Sequence, residues 1–123
     1  MAIIYKEESY KIIGICMEVH NYLGFGFSEI VYKDALEIEF KNAKIDFERE
    51  RKYEVEYKGI VLPHLFYADF IVFGKIVLEI KGKKDIADAD LAQAINYLKV
   101  SDNKLALIVN FGEEKLNYKR IVV

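Results

Sequence analysis

Asp69, Glu79 and Lys81 are charged residues set inside apolar runs. Asp69 lies in Leu65-Phe66-Tyr67-Ala68-Asp69-Phe70-Ile71-Val72-Phe73, and Glu79 and Lys81 lie in Ile76-Val77-Leu78-Glu79-Ile80-Lys81. Both runs read as β-strands with both faces covered, where a charge is expensive unless it is paired or holds a metal. A carboxylate on one strand, with a carboxylate and a lysine two apart on the next, can bind a divalent cation and a phosphodiester together. The bland alternative is a buried Asp69–Lys81 or Glu79–Lys81 ion pair with no chemistry.

Whether the three side chains meet depends on the turn between the strands. Glu79 and Lys81 share a face with Val77, while Leu78 and Ile80 point to the other side. A two-residue Gly74-Lys75 turn would pair Phe73 with Ile76 and put Asp69 on the wrong face. A three-residue loop, Phe73-Gly74-Lys75, pairs Val72 with Ile76 and sets Asp69 opposite Glu79. A one-residue slip exchanges these outcomes. In the favourable register the carboxylates stand about 5 Å apart at Cβ. Two acids that close repel one another and resist desolvation, and a hard cation such as magnesium or manganese resolves the conflict. Asp69 and Glu79 would be its ligands, with the carbonyl of Ile80 as another. Lys81 would orient the attacking water or neutralise developing negative charge.

Two further groups fit around this pair. Gln93 and Tyr97 are four apart on the helix after the third strand and share one edge of it with Asp90. Gln93 can orient the lysine or a phosphate, and Tyr97 can bond a phosphate or stack on a base. Alone they would read as a solvent-side glutamine and a half-buried tyrosine. Nearer the N-terminus, Gly26-x-x-Glu29-x-x-Tyr32 opens a helix, and Glu29 falls in its first turn, where the macrodipole favours an anion. Beside the carboxylate pair, Glu29 could hold a water on the metal or a second ion.

The elements that must position these residues follow from periodicity and turn residues. A first helix is predicted from about Lys6 to Tyr22, with Ile12, Ile13, Cys16, Met17 and His20 on its apolar stripe. Gly24-Phe25-Gly26-Phe27 breaks it. Ser28 is a plausible N-cap for a second helix reaching about Asn42, with Ile30, Ala35, Leu36 and Phe40 apolar. Tyr53, Val55 and Tyr57 alternate with charged residues in a half-exposed strand. Strands from about Ile60 to Phe73 and Ile76 to Lys81 follow. A helix of about Ala89 to Val100 turns Leu91, Ala94, Ile95 and Leu98 inward. Leu105–Val109 reads as a buried strand, and a last segment ends in Ile121-Val122-Val123. The order α-α-β-β-β-α-β-β predicts an α/β fold, a mixed central sheet flanked by helices.

Composition sets the bounds. The 123 residues are 53% hydrophobic and 31% charged, which suits a single folded domain over 1–123. No apolar run is long enough to span a bilayer, and the acidic start, with Glu7 and Glu8, does not resemble a signal peptide. Cys16 is the only cysteine, which excludes an internal disulfide and fits a reducing cytoplasm. One cysteine and two histidines cannot form a thiolate zinc site. A net charge of -2 argues against a protein that coats nucleic acid non-specifically. Arg49, Arg51 and Lys52, then Lys81, Lys83 and Lys84, then Lys115, Lys119 and Arg120 form local basic clusters. Most of these read as solvated faces. Nine Tyr and eight Phe exceed what a core of this size needs, which points to an interface and to a homodimer.

These motifs, taken in order, resemble the PD-(D/E)xK nuclease superfamily and, within it, the GxxExxY family. The resemblance covers nearly the whole chain. It rests on Val19-His20 before a Leu-Gly turn, Gly26-x-x-Glu29-x-x-Tyr32, Tyr67-x-Asp69, Glu79-x-Lys81, Gln93-x-x-x-Tyr97 and Asn110-Phe111-Gly112. It implies a restriction-endonuclease-like core and magnesium-dependent hydrolysis of phosphodiesters in nucleic acid, DNA above all. It also implies Asp69, Glu79 and Lys81 as the catalytic triplet and Glu29 as the helix carboxylate, with Gln93 and Tyr97 matching the Gln-x-x-x-Tyr motif of the RecB-type nucleases. Ala68 stands where the superfamily pattern has a proline. The superfamily also contains domains that only bind, so a catalytically inactive module for nucleic acid or protein is the rival reading. His20 reads either as a core histidine bonded to the Gly24–Phe27 loop or as a partner that steadies Glu29. Cys16 reads as a small buried apolar residue, and His64 gives no signal.

Overall fold

The computed structural model describes residues 3–123. The elements are α1 (Lys6–Leu23), α2 (Glu29–Asn42), β1 (Phe47–Tyr57), β2 (Ile60–Val72), β3 (Ile76–Lys81), α3 (Asp88–Ser101), β4 (Leu105–Asn110) and β5 (Asn117–Val122). The strands form one five-stranded sheet in chain order. Three neighbouring pairs are antiparallel, and β3 and β4 are parallel, joined across α3. The α-α-β-β-β-α-β-β order and the mixed sheet expected from the sequence are both present.

Helices cover both faces of the sheet. On one side α1 and α2 bury Ile12, Cys16, Tyr32, Leu36 and Phe40 against Phe70, Leu78, Ile80, Leu107 and Val109. On the other, α3 packs Ala94 and Leu98 on Ala68, Ile71, Val77, Ala106 and Ile108. The central strands β3 and β4 are therefore near-continuous apolar runs, as strands covered on both faces must be. In β2 only the stretch Ala68–Val72 is covered in this way. Leu65 and Tyr67 are exposed, because the first half of β2 pairs only with β1 in a hairpin that projects past the rest of the sheet.

Some helix positions depart from the expected stripes. Met17 and Ile30 are exposed, while Val19 and Tyr32 are buried in their place. Tyr32 goes inward because its ring stacks on Phe111, with centroids 4.6 Å apart, and its hydroxyl donates to the Gly24 carbonyl at 2.6 Å. It also accepts from the Phe27 amide at 3.3 Å. Tyr32, not His20, thus ties down the loop between α1 and α2. His20 is the buried, satisfied histidine of the first reading, but its Nε2 bonds the Glu113 carbonyl at 2.9 Å rather than the Gly24–Phe27 loop or Glu29. Ser28 sits at the N-cap position of α2, but its side chain makes no capping bond.

The loop joining β2 to β3 is the three-residue one, with Val72 opposite Ile76. Phe73 and Gly74 both have positive φ, 57° and 69°, and glycine accepts this without strain. At the end of β4, Asn110 locks the turn that follows Lys81. Its side chain accepts from the Lys83 amide and donates to the Lys83 carbonyl, at 3.1 and 2.9 Å. Gly112 packs against the same backbone so closely that a Cβ there would lie 2.2 Å from the Lys83 carbonyl oxygen. Backbone cannot yield as a side chain can, so Gly112→Ala is expected to cost about 2–3 kcal/mol in denaturant unfolding. An unchanged midpoint would show that the turn moves freely.

Candidate active site

The register of β2 and β3 is Phe70 with Leu78, Ile71 with Val77 and Val72 with Ile76. Carried one residue further, it sets Asp69 opposite Glu79. The main-chain ladder stops there, and the carboxylates continue it. Glu79 Oε2 accepts from the Asp69 amide at 3.2 Å, and Asp69 Oδ2 accepts from the Ile80 amide at 2.8 Å. The pair thus fills the wedge where β2 peels away from β3.

A break in alternation aims Asp69 into that wedge. Phe70 and Val72 belong to the core under α1 and α2, whereas Ala68 and Ile71 both belong to the core under α3. Strict period-two alternation would send Ala68 with Phe70, so the strand slips by one residue at Asp69. On β1 the position opposite Asp69 is Glu50, whose φ is 54°. The two strands slip together, and their pairing resumes in the same register on both sides.

Glu79 is 3% exposed, and its Oε1 has no hydrogen-bond partner among the described residues. Burial, and then the Asp69 carboxylate beside it, push the Glu79 carboxyl up to about 9. Asp69 has a cation of its own. Lys33 Nζ, from α2, lies 3.0 Å from Asp69 Oδ1 and 2.7 Å from Glu50 Oε1. Burial opposes the charge on Lys33, but Glu50 and Asp69 together hold its ammonium above the ordinary lysine range. The bland alternative, a buried ion pair of Lys81 with Asp69 or Glu79, is not formed among the described residues. Lys81 instead donates to Gln93 Oε1 at 3.1 Å and lies 3.9 Å from Asp90.

The α3 residues divide the labour. Gln93 is exposed and holds Lys81, as its spacing suggested. Asp90 is buried rather than on an open edge, and it takes Lys83 in a two-oxygen contact at 2.8 and 3.0 Å. Burial works against the Asp90 charge, yet Lys83 and the Ala87 amide hold its carboxyl below the ordinary value. Tyr97 stacks on Phe66 with centroids 4.5 Å apart, and Phe66 stacks on Tyr53 at 5.2 Å. The Arg51 guanidinium caps this row 5.1 Å from the Tyr53 centroid. Burial, followed by the nearby Glu79 and Asp69 charges, raises the Tyr97 hydroxyl. Glu29 is exposed, and its Oε2 accepts from the Gly82 amide at 3.2 Å. That bond ties the start of α2 to the residue after Lys81.

The structure therefore gathers Asp69 and Glu79 at one point, brings Lys81 to Gln93, and places Tyr97 within the field of both acids. Sequence reasoning missed Lys33 and Glu50. Lys33 could have been noticed one turn after Glu29, flanking the buried positions Tyr32 and Leu36. Glu50 carried no signal, because its position depends on the slip. Among the described residues no group of three His, Cys, Asp or Glu side chains forms a ready-made metal cage. Some of the clustered basic residues are paired internally: Arg49 with Asp34, Arg51 with Glu48 and Lys83 with Asp90.

Comparison with known proteins bears on the family and the fold. The family model of the PD-(D/E)XK nuclease superfamily matches residues 6–121, and the chain belongs to that superfamily. No match was found among curated proteins. The solved structure described as "Crystal structure of SSO0001" is similar in fold, with a TM-score of 0.53 at 22% identity. The similarity covers 75% of this chain and 48% of that one, so this chain spans about half the length of that relative. The mixed sheet with flanking helices is that of the restriction-endonuclease-like fold.

The raised Glu79 carboxyl has a consequence for stability. The folded protein keeps this proton up to about pH 9, whereas an unfolded chain loses it near 4.5. Unfolding in that window releases a proton, so rising pH favours the unfolded state. The slope from this one group reaches about 1.4 kcal/mol per pH unit. In chelator, Glu79→Gln should flatten the decline of stability measured by denaturant melts across that window. Parallel pH profiles for the two proteins would contradict the assignment.

Proposed function

We propose that this chain is a divalent-metal-dependent nuclease that hydrolyses phosphodiester bonds in nucleic acid, DNA in the first place, and that it belongs to the GxxExxY family of its superfamily. One observation carries this reading: a buried carboxylate oxygen of Glu79 without a partner among the described residues, beside a second carboxylate, Asp69. Such an oxygen is costly unless a hydrogen-bond donor or a cation occupies the space next to it. The donor set suits a hard cation, since carboxylates and carbonyls favour magnesium or manganese. Asp69 and Glu79, with the Ile80 carbonyl, would hold the ion, and Glu29 would serve a water or second ion at the edge of the site. When bound, the ion supplies positive charge that polarises the phosphoryl group and favours ionisation of water.

The chain's own residues do the rest. Lys81, held by Gln93, faces the charge that develops on the phosphate as the water oxygen attacks phosphorus and the P–O bond to the leaving group breaks. Asp90 and Asn110 fix Lys83 and, through it, the turn after Lys81. The Tyr53–Phe66–Tyr97 row offers aromatic surface to nucleobases. In a cleavage assay on single-stranded, duplex and branched DNA, activity should require magnesium or manganese and vanish in Glu79→Ala. Lys81→Ala should cleave more slowly by about a hundredfold while binding metal as before. Wild-type protein inert on every substrate would count against the reading, and unchanged cleavage would remove Lys81 from it.

A non-catalytic binding module is the second reading, favoured by the Lys33 ammonium that already neutralises Asp69. Calorimetry separates the two: a module of that kind would take up no manganese at millimolar concentration. The domain acts over 1–123 in a reducing cytoplasm in either reading. No helix among the described residues is long and apolar enough to cross a membrane. Exposed Tyr57, Ile60, Val61 and Tyr67 on the β1–β2 hairpin support a homodimer. Light scattering should give twice the chain mass at high concentration, and a monomer mass there would exclude it.

A further inference from the structure

Lys33 is unlike the other cations of the protein. It reaches from α2 to the slip point of the sheet, its side chain is only 13% exposed, and it touches two carboxylates of different kinds. One is Asp69, inside the candidate site and itself 16% exposed at the side chain. The other is Glu50, on the edge strand outside it and 45% exposed. Glu50 occupies the left-handed region of backbone space, which L side chains rarely adopt. That conformation coincides with the slip that puts Glu50 and Asp69 on either side of one ammonium.

We propose that Lys33 is an exchangeable counter-ion for the candidate metal site. In the metal-free protein its ammonium neutralises Asp69. When a divalent cation occupies Asp69 and Glu79, the ammonium gives up Asp69 and stays with Glu50. The inference rests on the reading of Asp69 and Glu79 as metal holders. Its logic is electrostatic. Both Asp69 oxygens are engaged, Oδ2 by the Ile80 amide and Oδ1 by Lys33, and of the two partners only the lysine is mobile enough to make way for an incoming ion. Two cations cannot share one carboxylate oxygen in a poorly solvated wedge without strong repulsion. A lysine stem has four rotatable bonds, and Glu50 already lies in contact, so the exchange needs only a change of rotamer. Glu50 is thus the resting place that makes Lys33 a competitor of limited strength rather than a permanent plug.

The test is a double-mutant cycle read by manganese calorimetry on the metal-free protein. Lys33→Met should bind manganese at least about tenfold more tightly than wild type, because the competitor is gone. Glu50→Gln should bind about three- to tenfold more weakly, because the ammonium then stays on Asp69. In the Lys33→Met background, Glu50→Gln should have almost no effect. If Glu50 acted only as a nearby negative charge, it would weaken binding equally in both backgrounds, and the exchange would be overturned. Glu50 is half exposed, so its variant remains informative even should Lys33→Met fold poorly. In that case the Lys33 Cε resonance of the wild-type protein should shift on adding magnesium, and a stationary resonance would overturn the exchange. Manganese bound by wild type with unchanged affinity in Lys33→Met would sink the exchange but leave the metal reading standing. No binding in either protein would remove both.

Discussion

Two carboxylates brought together where water is scarce form the constraint on which the rest of this molecule turns. Asp69 and Glu79 lie between strands that have stopped pairing, and each takes a main-chain amide that the ladder would otherwise have used. The sheet thereby loses no buried donor, but it acquires adjacent acids that repel each other. Two things relieve the repulsion: one oxygen of Asp69 has Lys33, and Glu79 retains its proton far above the usual carboxyl range. One oxygen of Glu79 has no hydrogen-bond partner among the described residues. A buried polar atom without a partner calls for an explanation, and a bound cation is the one proposed above.

The other elements make sense as supports for this point. α2 contributes Lys33, and α2 and its leading loop are pinned by Tyr32 to Gly24 and Phe27 and by Glu29 to Gly82. α3 holds Lys81 through Gln93 and anchors Lys83 through Asp90. β4 ends in Asn110, which grips the Lys83 backbone from both sides, while Gly112 allows the chains to approach closely. Residues from every third of the chain therefore converge on a few residues at the end of β3. This is why the matching motifs are scattered in sequence and why each is weak alone.

Much of this was legible beforehand. Apolar runs with turn residues between them fix most elements to within a few positions, although β1 starts at Phe47, ahead of the alternating stretch that marks it, and the loop at Phe73-Gly74-Lys75 stands in the sequence only as the condition on which the site depends. Helical spacing puts Gln93 and Tyr97 on one edge, and the bond from Lys81 to Gln93 is one of the contacts that this placement allows. What escaped depends on tertiary choices that periodicity cannot encode. The slip at Asp69 and Glu50 breaks the period-two rule itself, so Lys33 and Glu50 had no visible reason to meet. Met17 and Tyr32 have similar apolar character on paper. Only the presence of Phe111 to stack on, and of Gly24 to accept a hydroxyl, sends Tyr32 inward. His20 found its partner ninety-three residues away, at Glu113, a pairing beyond any local reading.

The central claim is that the gap between Asp69 and Glu79 accepts a divalent cation. Anomalous diffraction from crystals soaked in manganese addresses it most directly. The account calls for a peak in contact with both carboxylates, with the Lys33 ammonium drawn back onto Glu50. A data set with no peak there at millimolar manganese, and with Lys33 still on Asp69, would contradict it.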